Sequence, residues 1–387
     1  MENQIKETIA QVFDEISAGL VSGNFGKRMR VALTLEGSEH GEAEMLRGAQ
    51  LAQAADSSIE VIVIGKKMET GGLKLIEADS QKTAHEIMDK MLLSGELDAA
   101  ATMHYNFPIG VSTVGRVVTP GFGRKMFVGS TTGTSDTDRV AAMLKNAISS
   151  IAVAKACGIE KPTVGILNIE GSRQLERALL KLQENGYPIT FTESARADGG
   201  VTMRGNDLLQ GVPDIMVMDS LTGNVIMKFM SAFQTGGSYE ALGDGYGPGV
   251  GDGYDRIVTI ISRASGAPVV AGAIGYAGAL ARGGLIKKVA GEFALAKKAG
   301  LNAILDGLTK PADKAAASED AVTAPPEKVV TEEIAGIEIL ELEDAVQVLW
   351  KKGIYASSGM GCTGPVIIVA PDDKEAAVAE IKAAGYL

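Results

Sequence analysis

An apolar strand that breaks into small polar residues and restarts as an apolar helix is the feature that most restricts how this chain can fold. The clearest copy lies at residues 213–228, where PDIMVM is followed by DSLTGN and then by VIMK. Such a junction aims free backbone N–H groups and hydroxyls at one point, where an anion such as phosphate can bind. The pattern recurs along the chain, so we predict an α/β fold and phosphate chemistry.

Strand and helix patterns alternate through the first 310 residues. Buried strands are predicted at 30–35, 59–64, 99–103, 125–128, 163–169, 189–192, 215–218 and 269–271, with a helix at 43–55 and helical patterns between most of the others. Residues 1–20 are predicted to form an amphipathic helix. This alternation indicates a doubly wound, mostly parallel open sheet.

The composition changes at residues 311–328, which are rich in Pro, Ala, Asp, Glu and Lys and nearly free of bulky apolar side chains. That composition is typical of a flexible linker. We therefore predict an α/β body at 1–310 and a small C-terminal βαβα segment at 329–387. Its elements are predicted at 336–340 (strand), 343–352 (helix), 366–370 (strand) and 373–383 (helix).

Charge and cysteine content exclude several classes of protein. A formal net charge of −11 and a pI near 5.0 argue against a nucleic-acid partner. No apolar run reaches the roughly 18 residues of a membrane span, and the N-terminus lacks an apolar signal segment, so we expect a cytoplasmic protein without a membrane partner. Two cysteines are too few for a disulfide framework or a zinc site.

Four loops after predicted strands are small and polar, at 36–41, 130–136, 170–173 and 222–224. The carboxyl ends of parallel strands meet at one crevice, so these loops are expected to converge there. Gly allows close approach of an anion, Ser and Thr donate hydrogen bonds, and Arg supplies a forked cation. Each loop taken alone is better explained as a helix N-cap, which uses the same residue types, but four such loops on one sheet edge favour a cluster of anion donors. The glycine-dense stretch 243–253 lacks the context of a dinucleotide fingerprint and is interpreted as a mobile active-site loop or a plain surface loop.

Cys362 lies among small residues directly before a predicted buried strand. That setting suits a thiolate nucleophile, although a lone cysteine is more often a small buried apolar residue. Cys157 ends a helix and is interpreted as structural. Among the histidines, which show no metal-ligand spacing, His85 is interpreted as incidental, whereas His40 and His104 are candidate acid–base groups.

The motif order resembles the phosphate acyltransferase family, which makes acyl phosphate from acyl carrier thioesters and is similar in fold to the phosphotransacetylases. The matching sequences are KPTVGILNIEG at 161–171 and NDLLQGVPDIMVMDSLTGNVIMK at 206–228. The C-terminal sequence GCTGP at 361–365 has no counterpart in that family. Body and tail together resemble the alpha subunits of component C of the glycine/sarcosine/betaine reductase complex of amino-acid-fermenting anaerobes.

The second resemblance implies a specific reaction. A carboxymethyl group on the selenocysteine of protein A is reductively released, passed to an enzyme cysteine as an acetyl thioester, and cleaved by inorganic phosphate to acetyl phosphate. Cys362 is the cysteine that matches the family's active-site residue. Phosphate is a substrate, no cofactor is expected to be bound, and the implied partners are the component C beta subunit, selenoprotein A and protein B, in a hetero-oligomer whose body self-associates.

Within this hypothesis the polar loops hold phosphate. The candidate ligands are Ser172, Arg173, Thr222, Gly223 and Asn224, with Thr132, Thr134 and Ser135 on the opposite wall. Three alternatives stay open: a stand-alone phosphate acyltransferase or phosphate acetyltransferase using coenzyme A or an acyl carrier thioester, a nicotinamide-dependent dehydrogenase, and a non-catalytic scaffolding subunit.

Overall fold

The computed structural model describes residues 28–196, 199–309, 322–338, 341–361 and 364–387, together with isolated positions before residue 28. Most of the predicted helix at 1–20 and residues 311–321 of the predicted linker lie outside this part of the chain. In chain order the first elements are β1 (Met29–Thr34), α1 (Glu42–Ala55), β2 (Ile59–Gly65), β3 (Lys74–Glu77), α2 (Gln81–Ser94), β4 (Ala99–Thr102), β5 (Val111–Val118), β6 (Lys125–Thr134) and α3 (Arg139–Ala156).

The rest of the body continues the alternation, and a separate group of elements follows residue 330. The body continues with β7 (Thr163–Leu167), α4 (Ser172–Glu184), β8 (Thr190–Phe191), β9 (Thr202–Met203), α5 (Gly205–Gln210), β10 (Ile215–Val217), α6 (Ser220–Ala232), β11 (Gly247–Val250), β12 (Val258–Ile260), α7 (Ala267–Arg282), α8 (Leu285–Lys298) and α9 (Leu301–Thr309). The C-terminal elements are β13 (Glu332–Ala335), α10 (Leu342–Lys351), β14 (Ala356–Gly361), β15 (Gly364–Val369) and α11 (Lys374–Ala383).

The body is built on one large, mostly parallel sheet, which confirms the predicted fold class. Its strand order is β3-β2-β1-β4-β12-β11-β5-β6-β10-β7-β8, with β9 also paired to β7. The pairs β12–β11, β11–β5 and β5–β6 are antiparallel, whereas the strands on either side pair in parallel. Three successive reversals make the two parallel sets run in opposite directions. The four polar loops therefore do not share one sheet edge, because the loop after β1 belongs to one set and the other three belong to the other.

Helices cover both faces of the sheet, and each face packs its own apolar core: Val31 and Leu33 of β1 face one cluster and Ala32 faces another. Helix α3 is buried on nearly all sides, because its sequence RVAAMLKNAISSIAVAKA is made almost entirely of small and apolar residues. Asp138 caps its first turn by accepting a hydrogen bond from the Ala141 N–H. Among the described residues no single helix has both the length and the apolar character of a membrane span; α7 and α8, bent by 64°, meet these criteria only as a pair.

Three local predictions were wrong. Residues 269–271 lie in helix α7, which begins with Pro268 in its first turn. Residues 130–134 are not a loop but the extension of strand β6. Within the glycine-dense stretch, Gly247 begins the buried strand β11 at φ 85°, and a Cβ there would lie 1.7 Å from the Val114 carbonyl oxygen. Glycine is needed at this position for close strand packing in the centre of the sheet, rather than for mobility.

The C-terminal elements form a second sheet with its own apolar core. Strands are ordered β13-β15-β14, and both pairings are antiparallel. Helices α10 and α11 contribute Leu349 and Ile381 to a core that also contains Ile367 of β15. The arrangement is therefore βαββα rather than βαβα. The predicted strand at 336–340 is wrong over 336–338, because the strand ends at Ala335 and residues 339–340 lie outside the described part.

Candidate active site

A cleft of about 580 Å³ lies beside the central antiparallel strands and draws residues from both parallel sets. Its walls come from the segments that follow β1, β4 and β12, from the last residues of β6, and from helix α6. The polar residues that line it are Glu39, His104, Tyr105, Asn106, Thr132, Asn224, Lys228, Tyr246, Ser262 and Arg263. The cleft thus contains three of the residues predicted from sequence, namely Thr132, Asn224 and His104.

His104 has an unusual backbone conformation. Its φ of 52° is the one positive value found for a non-glycine residue in the described part of the chain. Left-handed backbone costs on the order of 1 kcal/mol outside glycine and persists where the surrounding structure enforces it.

The other two histidines do not line the cleft. His40 lies on a different loop, with its ring edge-on to Tyr239 at 6.1 Å. The ring of His85 is half-buried and lies 2.9 Å from the Thr102 hydroxyl; burial lowers its pKa.

The start of α6 combines capping with close packing. Asp219 accepts hydrogen bonds from the Leu221 and Thr222 N–H groups at 3.1 and 3.0 Å, and from the Thr222 hydroxyl at 2.6 Å. Burial alone would raise the pKa of Asp219, but the Thr222 hydrogen bonds and the charge of Arg139 outweigh it and lower that pKa below 3.8. The Thr222 hydroxyl is thus engaged in the helix cap, as the capping alternative for this loop anticipates.

Gly223 and Asn224 fix α6 against strand β6. A Cβ on Gly223 would lie 1.8 Å from the Ser130 carbonyl oxygen, so only glycine permits this approach. The Asn224 side chain donates to the Thr131 carbonyl oxygen at 3.1 Å while its residue lines the cleft. One turn further along the helix, Lys228 lies on the same side and lines the cleft as well.

Lys228 and Arg263 supply positive charge to the cleft, and sequence reasoning missed both. The side chain of Lys228 is 56% exposed and that of Arg263 is 57% exposed, so each can meet a soluble anion. Lys228 lies 3.7 Å from buried Glu240, and Arg263 lies 3.4 Å from exposed Glu39. The four-residue spacing between Asn224 and Lys228 could have identified the lysine; Arg263 follows strand β12, which was not predicted.

Thr134 and Ser135 lie outside the cleft. Both line a neighbouring cavity of about 370 Å³. Ser135 is 3% exposed, and its hydroxyl bonds to Ser112 at 2.7 Å and to the Asn146 side chain at 2.5 Å. This network ties the end of β6 to strand β5 and helix α3, so the Ser135 hydroxyl has a structural partner on each side.

Ser172 and Arg173 begin α4, in the loop after β7, and do not line the cleft. Ser172 is buried, and Arg173 pairs with Glu176 at 2.8 Å. The Gly171 N–H donates to the carboxylate of Glu338, a buried residue of the C-terminal segment, at 2.5 Å. A second acidic residue of that segment, Glu341, accepts hydrogen bonds from Gln174 at 2.9 Å and from Arg177 at 3.1 Å. The anion at this helix N-terminus is therefore a carboxylate from the C-terminal segment.

The two cysteines differ in what the structure shows of them. Cys157 is the C-cap of α3, with the Arg116 guanidinium 3.7 Å from its sulfur. Burial raises the pKa of the Cys157 thiol to about 11, which disfavours a thiolate and agrees with a structural role. Cys362 and Thr363 lie outside the described residues. The strands on either side of them, β14 and β15, pair as far as Gly361 and Gly364.

Comparison with known proteins places the chain in a family. The model of the family described as "Fatty acid synthesis protein" matches residues 29–367. The chain is 53% identical over 385 residues, covering both sequences fully, to the glycine/sarcosine/betaine reductase complex component C subunit alpha of Peptoclostridium acidaminophilum. It is 25% identical over 235 residues to a phosphate acyltransferase of Thermotoga neapolitana, covering 52% of this chain and 69% of that protein.

A solved branched-chain phosphotransacylase from Enterococcus faecalis V583 aligns with 65% of this chain and 99% of its own, at 16% identity and a TM-score of 0.48. The family model covers far more than half of the chain, and the full-length relative exceeds half identity. The chain therefore belongs to the fatty acid synthesis protein family and, within it, to the component C alpha subunits of glycine/sarcosine/betaine reductase.

Proposed function

We propose that this chain forms acetyl phosphate from inorganic phosphate and an acetyl thioester carried on Cys362. The acetyl group derives from the carboxymethyl-selenocysteine of protein A, and the chain acts together with the component C beta subunit, selenoprotein A and protein B. One relative is a subunit of a multi-component reductase and another is a phosphate acyltransferase, which supports a role in acyl transfer within such a complex. Beyond acyl transfer, we propose the thioester on Cys362, the source of its acetyl group and the three partners.

The observation that carries the proposal is the pairing of two cations with neutral donors in one open cleft. Lys228 and Arg263 line the cleft together with Thr132 and Asn224. Phosphate at neutral pH carries more than one negative charge and several acceptor oxygens, so it requires this combination of charge and donors. Each cation already has an acidic neighbour, but both remain more than half exposed, so solvent screens these pairs and phosphate can compete for the cations.

The reaction joins a phosphate oxygen to the thioester carbonyl carbon. The tetrahedral intermediate then collapses as the carbon–sulfur bond breaks, which releases acetyl phosphate and the Cys362 thiolate. The proton lost by phosphate ends on the sulfur. Holding phosphate in line with the carbonyl lowers the entropic cost of reaching the transition state. Cations or N–H groups near the developing oxyanion lower the activation barrier further by stabilising its charge. We propose His104, on the cleft wall, as the group that relays the proton.

A thioester supplied from outside the protein is the second candidate. The phosphate acyltransferase relatives match about half of this chain, which favours a body that could act on a coenzyme A or acyl carrier thioester. In that case Cys362 would be dispensable, because the donor arrives already activated. The two candidates share the phosphate cleft and differ in the origin of the sulfur.

Arsenolysis of acetyl phosphate separates them. Arsenate replaces phosphate in the cleft, and the acetyl arsenate formed hydrolyses, so acetyl phosphate is consumed only if the enzyme exchanges the acetyl group. We expect Cys362→Ala to abolish consumption by the purified alpha–beta component and Cys157→Ala to preserve it. Retained consumption in Cys362→Ala contradicts a covalent acetyl-enzyme, and stimulation of that variant by added coenzyme A identifies the external donor.

A further inference from the structure

A deeply buried carboxylate, that of Glu240, lies beside the cleft, and the reaction proposed above gives it no role. Glu240 is 2% exposed. Its Oε1 accepts a hydrogen bond from the Tyr246 hydroxyl and its Oε2 accepts one from the Ser265 hydroxyl, each at 2.8 Å. Burial, followed by the charge of Glu240, raises the pKa of Tyr246, so the phenol stays protonated and donates. Two neutral donors therefore hold the carboxylate in one orientation.

The backbone around Glu240 joins the two walls of the cleft. The Glu240 N–H donates to the Ala264 carbonyl oxygen at 2.8 Å, and the Gly266 N–H donates to the Glu240 carbonyl oxygen at 2.9 Å. On the other side, the Ala241 N–H donates to the carbonyl oxygen of Ser231, in the last turn of α6, at 2.8 Å. The segment thus links α6 to the turn after β12, where Arg263 lies.

Lys228 is the cation that Glu240 faces. Its ammonium lies 3.7 Å from Glu240 Oε1 and 5.5 Å from the centre of the Tyr246 ring. A lysine side chain has four rotatable bonds and, when more than half exposed, samples many positions unless a fixed charge or an aromatic face confines it. Glu240 provides the fixed charge, and Tyr246 provides the aromatic face. Because both are held by buried hydrogen bonds, the ammonium is confined where it lines the cleft.

We propose that Glu240 is a positioning residue for anion binding: it holds the Lys228 ammonium at the cleft and keeps α6 in register with the turn that carries Arg263. The inference rests on the proposed function in one respect, namely that the anion is inorganic phosphate. Glu240 does not touch the phosphate and acts through Lys228.

The first test uses Glu240→Gln, which keeps the size of the side chain and an oxygen acceptor but removes the charge. We expect the KM for phosphate in acetyl transfer to rise by about 10-fold, as for loss of a charge-assisted contact, with a much smaller change in kcat. Lys228→Met should raise the KM by itself. If Glu240 acts through Lys228, the double variant will be no worse than Lys228→Met alone. A fully additive double variant, or an unchanged KM in Glu240→Gln, overturns the inference.

A second readout needs no turnover. Acetic anhydride modifies exposed lysines, and peptide mass spectrometry reports how far inorganic phosphate protects each one. We expect phosphate to protect Lys228 from acetylation in the wild type, and we expect most of this protection to be lost in Glu240→Gln. Lys181, which is 60% exposed on α4, serves as the control, and phosphate should not change its acetylation in either protein. If Glu240→Gln does not fold, Ser265→Ala removes one of the two donors and should show the same loss in part.

The two readouts separate this inference from the function on which it rests. A wild type that shows phosphate protection of Lys228 but no phosphate-dependent acetyl transfer contradicts the proposed function and leaves the positioning role intact if Glu240→Gln abolishes protection. A wild type active in acetyl transfer, with equal protection in wild type and Glu240→Gln, overturns the positioning role alone. Absence of protection in the wild type overturns it as well.

Discussion

Gly223→Ala adds a single methyl group at the point where α6 touches strand β6. The added Cβ would lie 1.8 Å from the Ser130 carbonyl oxygen, whereas real Cβ atoms keep at least 3.0 Å from such a neighbour. The obstacle is backbone in the interior of the sheet, so it cannot rotate away. Helix α6 must therefore retreat by roughly 1 Å, and Asn224 and Lys228 retreat with it.

Both stability and rate should fall. Overpacking of this kind costs about 1–3 kcal/mol, and the gain in helix propensity from Gly to Ala returns only about 0.5–1 kcal/mol. We therefore expect a net loss of about 1–2 kcal/mol in the free energy of unfolding. A displacement of roughly 1 Å of groups that position a substrate can cost about 100-fold in rate, so phosphate-dependent acetyl transfer should fall by that order.

Gly291→Ala is the matched control. Gly291 lies in helix α8, and a Cβ there meets no atom within 4 Å. The same substitution should therefore stabilise the protein by about 0.5–1 kcal/mol and leave the rate unchanged. Urea unfolding measures the first quantity and acetyl phosphate formation the second. If Gly223→Ala is as stable and as active as Gly291→Ala, the packing of α6 on β6 does not position the cleft.

Three further predictions address other parts of the structure. Glu338→Gln should weaken the contact between the C-terminal segment and α4, because the charge-assisted hydrogen bond from the Gly171 N–H is lost, and should raise hydrogen exchange at the start of α4 by about 10-fold. Glu343→Gln changes an exposed residue that bonds to Ser358 and should leave this exchange unchanged. Iodoacetamide at pH 8 should spare native Cys157, whose pKa of about 11 leaves roughly 0.1% thiolate, but modify it after unfolding. Asp219 has a pKa lowered on folding, so its charge stabilises the protein above pH 3.8 and this contribution is lost as pH falls through the folded value. Asp219→Asn should therefore lose more stability at pH 6 than at pH 3; equal losses contradict the lowered pKa.

The sequence revealed the fold class because buried parallel strands are short, continuous apolar runs bounded by polar breaks. Strands at β1, β2 and β7 follow this pattern and were predicted within two residues of their ends. Helix α7 was mistaken in part for a strand, because a few consecutive apolar residues look alike in either structure. The full run from Ala267 to Arg282, 16 residues long with Pro268 near its start, favours a helix.

The candidate site was only partly predictable because its position depends on strand direction. Strands β5 and β11 reverse the sheet, and neither was predicted; β11 is glycine-rich and has almost none of the β-branched residues typical of strands. Without that reversal, the sequence could not show that the cleft draws residues from two oppositely directed sets of strands. The loop at Ser172 follows β7, which runs parallel to β6, so strand direction does not explain why it lies away from Thr132. The tail carboxylate of Glu338 that bonds to this loop comes from more than 160 residues away, and no local pattern reports such a contact.

The central claim is that Cys362 carries an acetyl thioester that phosphate cleaves, and mass spectrometry of the alpha–beta component incubated with acetyl phosphate tests it most directly. We predict an increase of about 42 Da, one acetyl group, on the peptide that contains Cys362 and none on the peptide that contains Cys157, with the adduct removed on adding inorganic phosphate. An unmodified Cys362 peptide under conditions where acetyl phosphate is consumed, or an adduct that phosphate does not remove, contradicts the claim.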